Sequence, residues 1–242
     1  IGGWAVNSLG HSPKVLVDCL SDQAATLLNA SPAFYNQPML DFAEALTQSS
    51  CFDKVFFGST GAEANEAAIK LARKYGAKSK NGAYEIITFE KSFHGRTLAT
   101  MSATGKSQWA KLYEPKVPGF HHVPFNDIQA VKAAITDKTV AIMLEPIQGE
   151  GGVNVATQDF ISSLRKICDD QHILLIFDEV QTGFGRTGTL FCYEQYHVEP
   201  DIMTLGKGIG SGFPLSAMLC KKELDIFEPG DQGATCMGQP LA

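Results

Sequence analysis

Lys207 lies in the run Thr204-Leu205-Gly206-Lys207-Gly208-Ile209-Gly210-Ser211-Gly212-Phe213-Pro214, 29 positions after Asp178. Asp178 ends an apolar run at 173–177 and is followed by Glu179. A lysine amine set among glycines after a buried strand can form Schiff bases, because desolvation makes it a nucleophile. An aspartate at the end of a buried strand is costly to desolvate unless it is paired, and a protonated ring nitrogen is a suitable partner. Pyridoxal-phosphate chemistry requires both groups. The plain alternatives are a solvated lysine in a turn and a metal bound by Asp178 with Glu179. Adjacent strand residues point to opposite faces, which argues against the metal.

Four other stretches bear on the choice. Gly58-Ser59-Thr60-Gly61-Ala62-Glu63 joins a strand to a helix N-terminus. Free N–H groups and the helix dipole there favour an anion, although N-capping by Ser59 or Thr60 would leave the same signature. No Gly-Lys-Ser/Thr follows, so it is not a Walker loop. Ser92-Phe93-His94-Gly95-Arg96-Thr97 puts a ring able to stack, a histidine and a carboxylate-gripping arginine in one turn, or else packs as a turn with a surface arginine. In 144–152, Glu145 and Glu150 flank Pro146-Ile147-Gln148-Gly149 on a strand-end loop that could form a pocket wall. Beyond Asp178, Val180 and Gln181 precede Thr182-Gly183, and Gln181 could reach a phenolic oxygen. The glycines at 206, 208, 210 and 212 alternate with single residues, a weak match to the GxGxxG dinucleotide fingerprint.

The intervening pattern must position these residues. Helical spacing is expected near 13–29, over 39–48, 62–75 and 160–169, and short apolar strands at 54–57, 85–89, 141–144, 173–177, 202–205 and 216–220. Strands alternating with helices imply a parallel sheet covered on both faces, with ligands beyond the carboxyl ends of its strands. The chemistry-bearing stretches fall at those ends. The chain has 242 residues, 44% hydrophobic and 19% charged, with a net charge of −6 and scattered basic residues. Nothing in this favours a nucleic-acid or anionic-membrane partner, and no apolar run reaches membrane-spanning length. Six irregularly spaced cysteines, without CxxC, read as reduced thiols of a cytosolic-type compartment, mostly buried, and zinc is not expected. The chain reads as a fragment, since it opens on Ile1-Gly2-Gly3 and stops at Ala242 in what reads as mid-domain.

In order and spacing these motifs resemble the class III aminotransferases, over essentially the whole chain. The resemblance implies an α/β fold: the large domain of fold type I (aspartate-aminotransferase-like), with a mainly parallel sheet and without the C-terminal small domain. It divides the chain into an N-terminal segment, 1–37, and a pyridoxal-phosphate-binding large domain, 38–242. Lys207 matches the Schiff-base lysine and Asp178 the carboxylate under the pyridinium nitrogen. Val180 and Gln181 match the ring face and the phenolic oxygen, Thr60, Gly61 and Ala62 the phosphate loop, and Phe93 the stacking aromatic. Thr235 matches a threonine that reaches the cofactor phosphate of the neighbouring subunit, which implies a homodimer with shared sites. No metal is implied.

Phe93-His94-Gly95-Arg96-Thr97 has the form of the acetylornithine branch, where ornithine aminotransferases carry Trp at the position of His94; 34–38 and 124–127 also resemble that branch. There the substrate-binding residues are Arg96, which grips the substrate α-carboxylate, and Glu150, which pairs with an arginine of the C-terminal domain. Ala234 replaces a substrate-contacting Ser or Thr, Cys236-Met237-Gly238-Gln239 replaces Tyr-Gly-Gly-Asn, and Gly10-His11-Ser12-Pro13 is one residue short. The branch implies a cytoplasmic enzyme of arginine biosynthesis that passes the terminal amine of N-acetylornithine to 2-oxoglutarate in ping-pong order. The alternatives are an ornithine or 4-aminobutyrate aminotransferase, a nicotinamide-dependent oxidoreductase, or a non-catalytic relative.

Overall fold

A computed structural model describes residues 2–242; Ile1, the first residue of the expected segment 1–37, lies outside the described residues. In chain order the elements are α1 (Lys14–Thr26), α2 (Gln37–Gln48), β1 (Lys54–Gly58), α3 (Gly61–Ser79), β2 (Glu85–Phe89), α4 (Leu98–Ala103), β3 (Phe120–Val123) and α5 (Ile128–Ala134). They continue with β4 (Thr139–Leu144), β5 (Ile147–Gln148), β6 (Asn154–Val155), α6 (Gln158–Gln171), β7 (Leu174–Asp178), α7 (Tyr193–Tyr196), β8 (Ile202–Leu205) and β9 (Ser216–Cys220).

Seven strands form one sheet in the order β1-β9-β8-β7-β4-β2-β3, while β5 and β6 pair as a separate hairpin. The run β8-β7-β4-β2-β3 is parallel, as expected. The departure is β9, which runs antiparallel to both β8 and β1. Residues 206–215 alone join β8 to β9, which is shorter than the crossover a parallel return requires. The six expected strands and four expected helices are all present within a few residues. The short elements α4, β3, α5, α7 and the β5–β6 hairpin add to them.

Alternation along the central strands separates two cores. Leu174 and Ile176 of β7, with Ile202 of β8, pack on one face against Ala64, Ala67, Ala68, Leu71 and Ala72 of α3. Leu175 and Phe177, with Met203 and Leu205, face the other core with Phe160, Ile161 and Leu164 of α6. The alanines of α3 let its backbone approach the sheet closely. That alternation carries Asp178 onto the α3 face and, by the register Asp178↔Thr204, brings Thr204 beside it.

α1 has no buried residue, and Trp4, Phe34 and Tyr35 of the N-terminal segment are exposed. Among the described residues no helix is long and apolar enough to cross a membrane. All six cysteines are free, but only Cys168, Cys192 and Cys220 are buried, fewer than the expected majority.

Candidate active site

The first turn of α3 is capped. Thr60 accepts from Glu63 N–H at 3.3 Å, and the Glu63 carboxylate accepts from Ser59 and Thr60 N–H at 2.7 and 2.9 Å. This capping box takes up the donors before the helix. Gly61 and Ala62, its first two residues, have no carbonyl a turn earlier to bond, so their N–H groups remain directed outward at the positive end of a 19-residue helix. The cap expected at 58–63 is thus present, and it leaves those two N–H groups unused. A side chain at Gly61 could not be accommodated, because its Cβ would lie 2.7 Å from Val180 Cγ1.

Asp178 ends β7, 3% exposed. Its Oδ2 accepts from Asn65 Nδ2 at 2.8 Å and lies 2.7 Å from His94 Nδ1, while Oδ1 accepts from Val180 N–H at 3.0 Å. Asn65 also donates to the His94 carbonyl at 2.7 Å, and Thr204 donates to Asn65 Oδ1 at 2.6 Å. The turn carrying Phe93 is held at consecutive residues: Phe93 N–H donates to Glu145 at 2.9 Å and His94 N–H to Thr104 at 2.9 Å. Burial pushes the Glu145 carboxyl up to about 7, with His94 and the Phe93 N–H opposing and Asp178 adding to the rise.

Lys207 opens a 3₁₀ turn one residue after β8 with φ 47°, a left-handed conformation uncommon for residues other than glycine. Its side chain enters the space in front of Asp178. Burial lowers the pKa of its amine, against the charges of Asp178, Glu145 and Glu150, which raise it. No described residue pairs with that amine by hydrogen bond or salt bridge.

These groups line one cavity of about 320 Å³: Thr60, Gly61 and Ala62 at one end, Phe93, Arg96 and Gln181 around it, and Asp178, Val180 and Lys207 within. Gln181 packs against Gly149, where an added Cβ would sit 1.7 Å from its Oε1. Nine sequence-derived candidates thus converge, and two do not. Glu150 pairs with Lys106 at 2.8 Å and lines a separate, larger cavity of about 810 Å³. Thr235 is exposed and outside both cavities. The smaller cavity is the one lined by the lysine amine, the aspartate and the start of α3 together.

Asn65, Thr204 and Trp109 do not stand out in the sequence. Trp109 meets Phe93 edge-on at 5.9 Å, and the Arg96 guanidinium lies over its ring at 5.0 Å. A polar residue on the alanine stripe of α3 is the signal that could have found Asn65. Asp178 and Glu179 point apart, so they form no joint metal site. Glu179 accepts from Cys192 and Tyr193 N–H at 2.6 and 2.8 Å and from Thr182 Oγ1 at 3.2 Å.

Residues 1–242 match the family model described as aminotransferase class-III. The chain belongs to that family. Within the class-III aminotransferases it is 60% identical over 245 residues to an acetylornithine aminotransferase of Ralstonia nicotianae, a match covering all of this chain and 61% of the relative. The chain therefore spans about three fifths of that relative's length. The fold superposes on an ornithine aminotransferase from Toxoplasma gondii, whose structure shows partial occupancy of PLP at its active site, with a TM-score of 0.94 at 33% identity. That match covers 99% of this chain and 58% of the other. An acetylornithine aminotransferase from Elizabethkingia anophelis matches with a TM-score of 0.83 at 36% identity, covering 99% of this chain and 58% of its own.

Proposed function

We propose that this chain is the pyridoxal-phosphate-binding part of an aminotransferase that moves the terminal amino group of N-acetylornithine to 2-oxoglutarate. One observation carries the reading: the unpaired, half-buried amine of Lys207 and the held carboxylate of Asp178 share a cavity that ends at the N-terminus of α3. The residues fit the cofactor. Asp178 already has three donors, yet a carboxylate has about four acceptor positions, so it can still receive a ring N–H. Gly61 and Ala62 N–H suit a phosphate, Phe93 and Val180 provide apolar ring contacts, and Gln181 can donate to a phenolic oxygen. When bound, pyridoxal phosphate supplies an aldehyde for the amine and an electron sink.

Lys207, with its proton affinity lowered by burial, is the amine that would hold the cofactor's aldehyde, and its Nζ is placed to move a proton. Asp178 would hold a ring N–H and keep that nitrogen protonated. Arg96 lies exposed at the cavity wall, where its fork can take a substrate carboxylate. The relatives at 49–60% identity carry the acetylornithine name, which supports that donor over ornithine or 4-aminobutyrate.

The proposal extends to a division of the chain at 37/38, a cytoplasmic location and a homodimer with shared sites. Exposure of Trp4, Phe34, Tyr35 and Thr235 supports the dimer, as these need cover and Thr235 is not used in its own cavity. Glu150 is assigned to a partner beyond this chain as well as to Lys106. The test is an absorbance spectrum of the whole protein with pyridoxal phosphate, followed by borohydride and mapping of the label, and then a coupled assay of the three donors. A visible band lost on reduction, label on Lys207 and preference for acetylornithine are expected. NAD binding with no visible band overturns the reading.

A further inference from the structure

We propose that Asn65 is a positioning residue that locks the Asp178 carboxylate in the orientation the cofactor needs, and that Thr204 sets the lock. The inference rests on the cofactor reading above. Asn65 is 1% exposed, and its amide makes three bonds. Two of its neighbours, the His94 carbonyl and Asp178 Oδ2, can only accept, so the NH₂ group must face them and both of its hydrogens are used. The amide oxygen then faces Thr204, whose hydroxyl donates to it at 2.6 Å. The amide cannot flip without opposing two pairs of like groups.

His94 reaches the same Oδ2 through Nδ1, but its other ring nitrogen, Nε2, is buried without a partner, so nothing holds the far side of the imidazole. Of the two side chains that bond Asp178, Asn65 is therefore the one with both ends of its polar group held. It also joins Asp178 to the backbone of the turn that carries Phe93, through the His94 carbonyl. One side chain on α3 thus ties the end of β7, the end of β8 and the loop after β2 into one geometry.

The experiment uses the whole protein and compares Asn65→Ala, Asn65→Asp, Thr204→Val and Thr204→Ser, each alone and with Asp178→Asn. The readouts are the dissociation constant for pyridoxal phosphate, the pH midpoint of the visible band, and kcat against KM. Thermal unfolding of the cofactor-free protein checks that each variant folds.

Loss of a hydrogen bond to a charged group predicts about tenfold weaker cofactor binding for Asn65→Ala, and more for Asn65→Asp, which sets carboxylate against carboxylate. Thr204→Val should weaken binding by about threefold, and Thr204→Ser, which keeps the donor, should recover the parent value. The band midpoint should shift and kcat should fall, with the donor KM within about threefold, because neither residue touches substrate. In the Asp178→Asn background the effect of Asn65→Ala should vanish, the non-additivity of two residues acting through one group. Losses that add in full in the double variant, or parent values for Asn65→Ala and Thr204→Val beside an impaired Asp178→Asn, overturn the lock alone. A parent protein that takes up no pyridoxal phosphate overturns the cofactor reading as well.

Discussion

Asp178 and Glu179 are neighbours in the chain but serve opposite sides of the sheet edge. Asp178 turns toward α3 and bonds Asn65 and His94, while Glu179 turns the other way and accepts the N–H groups of Cys192 and Tyr193. One carboxylate belongs to the cavity and the other anchors the segment leading into α7. Both are buried, at 3% and 0% exposure, so each depends on its donors.

Glu179 should leave a mark on the pH dependence of stability. Burial pushes its carboxyl from 4.5 up to about 7, against its three donors. A group that holds its proton more tightly when folded contributes stability that is full below the unfolded value and is lost as pH rises through the folded one. For this shift the loss is about 3 kcal/mol between pH 4.5 and about 7. Urea unfolding across that range should show Glu179→Gln losing less stability with rising pH than the parent. Parallel pH profiles would count against the assignment.

Lys207→Ala in the whole protein should abolish turnover, a fall of at least about 10³-fold, because the nucleophile is gone. Asp178→Asn should lower kcat by about 10²-fold or more while pyridoxal phosphate still binds, since the phosphate contacts at α3 are untouched. Substantial turnover by a folded Lys207→Ala protein, measured in a coupled assay, would refute the assignment.

The Arg96–Trp109 contact predicts a separation of binding from chemistry. Arg96→Ala should raise the KM of a carboxylate-bearing donor about tenfold or more, and Trp109→Leu, by freeing the guanidinium held over its ring at 5.0 Å, by about threefold. The dissociation constant for pyridoxal phosphate should stay at the parent value in the Trp109 variant. Equal losses in both constants would place Trp109 in the cofactor site instead.

Gly76, on the buried face of α3, marks where that helix meets the chain entering β2. A Cβ there would lie 1.8 Å from the Ala83 carbonyl oxygen and 3.0 Å from Val140. Backbone must move, so Gly76→Ala should cost about 1–3 kcal/mol in denaturant unfolding despite its better helix propensity. An unchanged midpoint would show that the segment after α3 yields freely.

Much of the architecture was legible because the central strands are uninterrupted apolar runs, and α3 combines a capping signature with an alanine stripe. β3 was not, because Phe120-His121-His122-Val123 is an edge strand, pairing only with β2, and its histidines break the apolar pattern. α4, α5 and α7, at six, seven and four residues, are too short for a helical period to emerge. The antiparallel course of β9 was hidden because strand direction depends on the length of a connection and not on residue type.

The sequence by itself determined which groups could do chemistry: a lysine among glycines, an aspartate closing an apolar strand, a capped helix start and an aromatic turn with an arginine. Those identities are local, set by residue type and neighbours along the chain. Only the tertiary structure decided which of them meet. It placed Thr60–Ala62, Phe93, Asp178 and Lys207 around one cavity, sent Glu150 to another, and left Thr235 outside both. It also supplied Asn65 and Thr204, whose importance lies wholly in what they touch. Register between β7 and β8 sets Thr204 beside Asp178, and the close approach of α3 brings Asn65 to both from more than a hundred residues away in the chain.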